Sequence, residues 1–130
     1  MTVAYVDASA LVKLVVEEAE TPAMHRWLLE ATRTLTSRVG VIETVRAVDR
    51  RGAFDLGHRD AVLRDVEVIE VHAGIATAAA AVGPATLRTL DAIHLASALS
   101  ILSELDAFVT YDDRLAEAAR AIGLPVMRPA

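Results

Sequence analysis

The feature that most limits how this chain can fold is a change of hydrophobic period near its start. Val3 to Val6 (VAYV) is a short apolar run, mostly β-branched or aromatic, which suits a strand buried on both faces. Asp7 interrupts it, and the small residues Ala8 and Ser9 follow. From Ala10 onward, Leu11, Leu14 and Val15 return at helical spacing. The stretch from Val3 to Val16 is therefore strand, acid, helix. In open α/β sheets, ligands bind just beyond the carboxyl ends of the strands. Asp7 occupies that place, and it becomes a candidate site residue if other acids can join it.

The same alternation continues along the chain. Thr21-Pro22 reads as a helix start, with Thr21 as N-cap and Pro22 at the first helical position. Met24, Trp27, Leu28 and Ala31 line one face of that helix. Arg33 to Thr36 is a short strand, and Ser37 caps a third helix with Val41, Val45 and Val48 as its stripe, ended by Gly52. Leu56 to Val66 reads as a helix, and Val66 to Val71 (VEVIEV) as a strand with one solvated face. Ala73 to Val82 is an alanine-rich helix stopped by Gly83-Pro84. The segment Leu87 to Leu105 predicts the longest helix, apolar on nearly all sides and so buried in the domain or against another chain. Ala107 to Thr110 is a strand, Asp112 to Ile122 a helix with Gly123 as C-cap, and Pro125 to Met127 a last strand. Strands alternating with helices imply an α/β fold, a parallel sheet covered by helices on both faces.

With 130 residues, the chain is expected to form a single domain, residues 1–130, burying roughly two thirds of its unfolded surface. The absence of cysteine excludes disulfides and a thiolate zinc site. No apolar run approaches the ~20 residues of a membrane span, and no signal peptide is seen at the start, so a cytoplasmic location is expected. A formal charge of −5 argues against a nucleic-acid binder, but clustered acids distort that measure. Setting aside four carboxylates for a metal site leaves the remainder nearly neutral. Of the 13 basic residues all but Lys13 are arginine, which suits bidentate phosphate contacts.

Three acids stand out beside Asp7. Asp112 follows the strand AFVT through Tyr111 and precedes a helix, as Asp7 does. Glu43 lies among apolar residues in VGVIETVRAV, and Asp91 lies in LRTLDAIHLASAL, where a charge is costly unless paired or metal-bound. Each has an ordinary explanation. Asp7 and Asp112 could simply cap helices, and Asp113 could replace Asp112 as the cap. Glu43 could pair with Arg46, and Asp91 with Arg88 or His94, at helical spacing. His94 reads as a satisfied core histidine that could also touch the site; His25, His58 and His72 read as surface residues.

Four segments, YVDASALVKL, SRVGVIETVRA, LRTLDAIHLASAL and VTYDDRLAEAARAIGLPV, resemble the PIN domain of VapC-like toxin ribonucleases, in the family's order and over nearly the whole chain. The resemblance implies a three-layer sandwich with a five-stranded parallel sheet in order 3-2-1-4-5, strands one and four flanking the switch point. Asp7, Glu43, Asp91 and Asp112 fall on the family's acidic positions, implying catalytic and metal-binding roles. Ser9 and Thr110 fall on positions that assist the site, and Asp113 is a second candidate beside Asp112. Carboxylates are hard ligands suited to Mg²⁺ or Mn²⁺. Two unit charges 4 Å apart repel by ~4 kcal/mol at an effective dielectric near 20, so clustered acids need a cation or a proton.

The implied reaction is metal-dependent hydrolysis of RNA, with Asp7, Asp91 and Asp112 at the metal and Glu43 holding metal or positioning water. Arg46 and Arg50, four apart on one helix face, could contact RNA phosphates, with Arg51 beside them; a solvated face is the plainer reading. The resemblance also implies a cognate antitoxin protein, with the Met24, Trp27 and Leu28 stripe as its groove, and a homodimer. Three alternatives remain. One is a PIN-type nuclease of RNA processing without an antitoxin, and another an inactive binding scaffold. The third is a receiver-type signalling domain, which normally needs a lysine after a late strand, whereas the only lysine here is Lys13.

Overall fold

The run VAYV forms strand β1 (Val3–Val6), and all four residues are buried. In the computed structural model, which describes residues 1–130, four more strands join it: β2 (Arg33–Ser37), β3 (Glu67–Ile69), β4 (Ala107–Val109) and β5 (Val126–Met127). The sheet order is β3-β2-β1-β4-β5, and every pairing is parallel. The expected α/β architecture and strand order are thus present. The order also differs from the 2-1-3-4-5 arrangement of flavodoxin-like receivers. Tyr5 lies opposite Leu35 of β2 and Phe108 of β4, so β1 is the central strand and β4 its neighbour across the switch point.

The helices are α1 (Ala8–Val15), α2 (Thr21–Leu29), α3 (Arg38–Arg51), α4 (Leu56–Arg64), α5 (Ala73–Ala81), α6 (Thr89–Leu99) and α7 (Asp113–Ala121). Because strand side chains alternate between faces, β1 and β4 feed two separate cores. Ala4, Val6, Ala107 and Val109 pack with Leu11 and Leu14 of α1 and Met24 of α2, with Trp27, Leu28 and Val62 at the edge. Tyr5 and Phe108 face the other way, against Leu95 of α6 and Leu115 and Ala119 of α7. Their rings stack with centroids 5.3 Å apart. No helix is long and apolar enough to cross a membrane.

Several element boundaries differ from the sequence expectation. The segment Leu87 to Leu105 is not one long helix. Helix α6 spans Thr89 to Leu99, because Arg88 is extended (ψ 144°) before it and Ser100 donates its hydroxyl to the Ser97 carbonyl at 2.6 Å after it. Leu87 and Leu105 still pack on the second core, but Leu90 and Leu102 are 47% and 48% exposed. The apolar segment is therefore only partly covered. Strand β3 keeps only the middle of VEVIEV. Thr21 is the first residue of α2 rather than its cap; its hydroxyl donates to the Lys13 carbonyl at 2.7 Å and so ties α2 to α1. Gly52 and Gly123 both have positive φ, 84° and 85°, which ends α3 and α7 in a conformation that costs glycine nothing sterically.

Candidate active site

Asp7 leaves β1 at its carboxyl end and caps α1, accepting the Ala10 amide at 3.0 Å. Capping is thus part of its work but not all of it. The Ser9 hydroxyl donates to Oδ1 at 2.6 Å, and the Thr110 hydroxyl donates to Oδ2 at 2.5 Å. Asp7 is only 3% exposed. Burial pushes its carboxyl above the ordinary range, although the Ser9 and Thr110 hydrogen bonds pull it down.

The two hydroxyls also stitch β1 to β4. Ser9 Oγ accepts the Tyr111 amide at 2.8 Å, and Thr110 Oγ1 accepts the Asp112 amide at 3.0 Å. Each hydroxyl therefore donates to Asp7 and accepts from the loop after β4, which fixes that loop over the end of β1. Asp112 then caps α7 through its Oδ1, which accepts the Leu115 amide at 3.0 Å. Asp113, in contrast, is exposed and pairs with Arg128 at 2.7 Å, so the structure separates the roles of the two neighbours.

Asp91 lies in the first turn of α6. Its carboxyl is raised first by burial and next by the negative charge of Asp112, with Glu43 adding a smaller push and His94 and Arg88 opposing it. Asp91, Asp112 and Glu43 therefore share one electrostatic neighbourhood at the rim above β1 and β4. Neither Asp7, Asp91 nor Asp112 has a salt-bridge partner, whereas the acids of the outer surface do: Glu18, Glu67 and Glu70 pair with Arg51, Arg33 and Arg38. As the side chains stand, no group of three or more is close enough to enclose an ion. Asp91 is coupled electrostatically to Asp112 and Glu43, and Asp7 is joined to the Asp112 backbone through Thr110, but the four form no closed cage.

Glu43 does not pair with Arg46. Its Oε1 lies 2.6 Å from Nε2 of His94, and Nδ1 of the same ring lies 2.6 Å from the Tyr5 hydroxyl. His94 is 2% exposed, a core histidine as its sequence context suggests, yet one nitrogen reaches the rim. This chain of hydrogen bonds is invisible in the sequence, because its members are separated by 51 and 89 positions. Gly40 makes it possible. A Cβ there would overlap the Thr36 hydroxyl and lie 3.2 Å from the His94 ring, so only glycine lets α3 settle close enough for Glu43 to meet His94.

Beside Glu43 runs a groove of about 430 Å³ lined by Val12, Val39, Ile42, Arg46, Arg50 and Leu90, among others. Arg46 and Arg50 share that face, as expected from their spacing, while Arg51 turns aside to Glu18 at 3.1 Å. On the opposite side of α1, a groove of about 540 Å³ is lined by residues of α2 and α4 with Leu28 and Leu29 among them. Met24 is fully buried and Trp27 packs on the first core, so of Met24, Trp27 and Leu28 only Leu28 lines this groove. His25, His58 and His72 are exposed, although His58 also bonds the Leu14 carbonyl at 2.7 Å and His72 caps α5.

Comparison with known proteins agrees with this architecture. Residues 4–121 match the PIN domain family. The chain is 40% identical to Ribonuclease VapC47 of Mycobacterium tuberculosis over 130 residues, 96% of each chain. It is 36% identical to Ribonuclease VapC46 of the same organism over 136 residues, 99% of each. Among solved structures, Mycobacterium tuberculosis VapC20, a Sarcin-Ricin loop cleaving toxin, superimposes with a TM-score of 0.72 at 20% identity, covering 97% of this chain and 99% of that one. A PilT N-terminus domain protein from Sulfolobus solfataricus gives a TM-score of 0.58 at 14% identity, covering 98% and 87%. By family match, near full-length similarity and strand order, the chain belongs to the PIN-domain family and is a VapC-like member of it.

Proposed function

We propose that this chain is an endoribonuclease that hydrolyses RNA phosphodiester bonds with the help of Mg²⁺ or Mn²⁺, and that it serves as the toxin of a toxin–antitoxin pair. Its VapC ribonuclease relatives support the reaction class. The observation that carries the reading is three acids without salt-bridge partners: Asp7 and Asp112, which follow β1 and β4 and cap the next helices, and Asp91, whose carboxyl feels the charge of Asp112. RNA is a polyanion, and it cannot approach such a rim closely unless a cation offsets the charge.

The donor set fits a hard divalent cation, since every candidate ligand is a carboxylate oxygen. Asp7, Asp91 and Asp112 would hold it, with Glu43 as a further ligand or as the group that orients the attacking water. The Asp91, Asp112 and Glu43 side chains would rotate toward the fixed Asp7 to do so, because the four form no closed cage as they stand. Such an ion supplies Lewis acidity and offsets the charge that develops on the phosphoryl oxygens.

The chain's own residues prepare this site. Ser9 and Thr110 hold the Asp7 carboxylate by two hydroxyl bonds, so its position is set before a ligand arrives. Thr110 also fixes the Asp112 backbone. Arg46 and Arg50 offer unpaired guanidinium groups along the groove that leads to Glu43, where they would steer the phosphate backbone. The cognate antitoxin would occupy the groove between α2 and α4. A homodimer would cover the exposed Leu90 or Leu102, and the protein would act in the cytoplasm as one PIN domain, residues 1–130.

The test is cleavage of total RNA by the purified protein with Mg²⁺ or Mn²⁺, with EDTA, and with Asp7→Asn, followed by mapping of the cut ends. Metal-dependent cuts bearing 5′-phosphates, lost in EDTA and in the variant, support the reading. Cutting that persists in EDTA, or in Asp7→Asn, contradicts it.

A further inference from the structure

We propose that His94 is a positioning residue for the reaction, holding the Glu43 carboxylate through its Nε2–H while Tyr5 anchors its Nδ1. The proposal rests on the nuclease reading above and deepens the part that Glu43 plays in it.

Burying polar rings in a core is unfavourable unless every polar atom is satisfied. Tyr5 and His94 are 0% and 2% exposed, and Tyr5 packs among the apolar residues of the second core, which would accommodate a plain hydrocarbon ring. The Tyr5 ring stacks on Phe108 and meets the edge of His94 at 5.8 Å. What distinguishes the pair is its direction. Tyr5 leads inward from β1, His94 crosses from α6, and the last member is Glu43 on α3, whose side chain is 30% exposed. The hydrogen bonds run from the closed core to one carboxylate on the open rim.

The donors follow from the partners. A carboxylate oxygen 2.6 Å from Nε2 accepts, so Nε2 must carry a proton. The Tyr5 hydroxyl makes its hydrogen bond to Nδ1 of the same ring, 2.6 Å away. A protonated phenol has one O–H to donate, and the bare Nδ1 is the acceptor within its reach. Burial keeps that phenol protonated far above its ordinary range. The buried Thr36 and Ser97 hydroxyls make no hydrogen bond, so neither competes for a ring nitrogen of His94. The Nε2–H form of the ring therefore satisfies Tyr5 and Glu43 together. The Nδ1–H form would set a ring lone pair against a carboxylate lone pair.

Two further observations tie the device to α3. Gly40, one turn before Glu43, gives α3 its close approach to His94 and Thr36. The Thr44 hydroxyl donates to the Gly40 carbonyl at 2.7 Å, which fastens the same turn from within. Both features bring one carboxylate to one imidazole, and neither involves Arg46 or Arg50.

The test combines ring ¹⁵N NMR of the metal-free protein with cleavage kinetics. Among the four histidines, the His94 signals are identified by their loss in His94→Gln. The expected spectrum has a proton on Nε2; the Nε2 signal moves in Glu43→Gln and the Nδ1 signal in Tyr5→Phe. A protonated Nδ1 with a bare Nε2 overturns the proposal. In kinetics, His94→Phe should lower kcat ~10- to 100-fold, the range typical of partners that orient a ligand, with KM for RNA little changed. His94→Gln, which keeps an N–H at the Nε2 position, should recover much of that loss. In a Glu43→Gln background the same His94→Phe should lower kcat less than ~2-fold, because the two residues act as one unit. An equal loss in both backgrounds assigns His94 a purely structural role and overturns the proposal, as does wild-type kcat in Glu43→Gln. If His94→Phe fails to fold, Tyr5→Phe, which frees the other end of the ring, carries the same comparison between the parent and Glu43→Gln backgrounds. If the parent protein cleaves no RNA at all, the nuclease reading fails, and the NMR result alone decides whether His94 holds Glu43.

Discussion

Replacing Asp7 by asparagine should make the metal-free protein more stable at neutral pH while abolishing cleavage. Asp7 is buried, and burial raises its carboxyl above the ordinary carboxylate value despite the bonds from Ser9, Thr110 and Ala10. The folded state therefore binds the proton more tightly than the unfolded chain does. Stability associated with protonated Asp7 is complete below the unfolded-state pKa and is lost as pH rises through the folded-state pKa. Each tenfold difference in proton affinity is worth about 1.4 kcal/mol. Asparagine escapes that loss, and as an N-cap it equals aspartate, so the Ala10 amide keeps its acceptor.

The opposing effect is local. The amide of asparagine would face the Thr110 hydroxyl, which would turn toward Ser9 Oγ, 3.4 Å away, at a cost of about 1 kcal/mol for the weakened bond. The net expectation is a gain in stability at pH 7, the desolvation of a buried carboxylate outweighing one weakened hydrogen bond. For a domain of this size each kcal/mol gained raises the melting temperature by roughly 2–8 °C. Thermal melts in EDTA across about pH 4–8 would show the two proteins converging on acidification and separating as pH rises. A variant that melts lower than the parent at pH 7, or a difference independent of pH, would refute the reasoning and reduce Asp7 to a helix cap.

Three further outcomes follow. Asp112→Ala removes a cap of α7 and should lower stability by about 0.5–2 kcal/mol while reducing cleavage at least ~100-fold, whereas Asp113→Ala breaks only an exposed pair with Arg128 and should leave kcat within ~2-fold; melts and kinetics of both check this. Arg46→Ala with Arg50→Ala should raise KM for RNA with little change in kcat, and the slope of log affinity against log salt should fall by about 0.7 for each phosphate no longer neutralised. Gly40→Ala should destabilise the fold by roughly 1–3 kcal/mol in a denaturant titration, because overlap with Thr36 and His94 outweighs the better helix propensity of alanine, worth about 1 kcal/mol.

The architecture is legible in the sequence where hydrophobic period and polarity change together. VAYV followed by Asp7 announces β1 and α1 because four apolar residues cannot continue as a helix across Asp-Ala-Ser without losing their stripe. Ser37, Gly52 and Gly123 mark helix ends through their cap chemistry. The strand order is not contained in any local pattern and comes only from the resemblance. The segment Leu87 to Leu105 misleads because leucine spacing registers burial on either side of a break, and neither the extended Arg88 nor the Ser100 closure alters that spacing. Pairings of high sequence separation are the least visible. Glu43 has Arg46 at helical distance, so the local pair is the natural reading. Its actual partner is His94, brought in by the packing of α6 against α3 and admitted by the missing side chain of Gly40. The acidic positions can be named from residue type and context, but the link from Asp7 through Thr110 to the Asp112 loop depends on β4 lying beside β1.

The central claim is that Asp7, Asp91 and Asp112 close around a divalent cation. Crystals of the protein grown or soaked with Mn²⁺, measured for anomalous scattering, test it most directly. The account predicts a peak over the carboxyl ends of β1 and β4 with carboxylate oxygens of at least Asp7 and one of Asp91 or Asp112 at roughly 2.0–2.3 Å, near the spacing of hard-cation sites. Density that leaves these carboxylates without an ion, in a preparation that cleaves RNA with Mn²⁺, would contradict it.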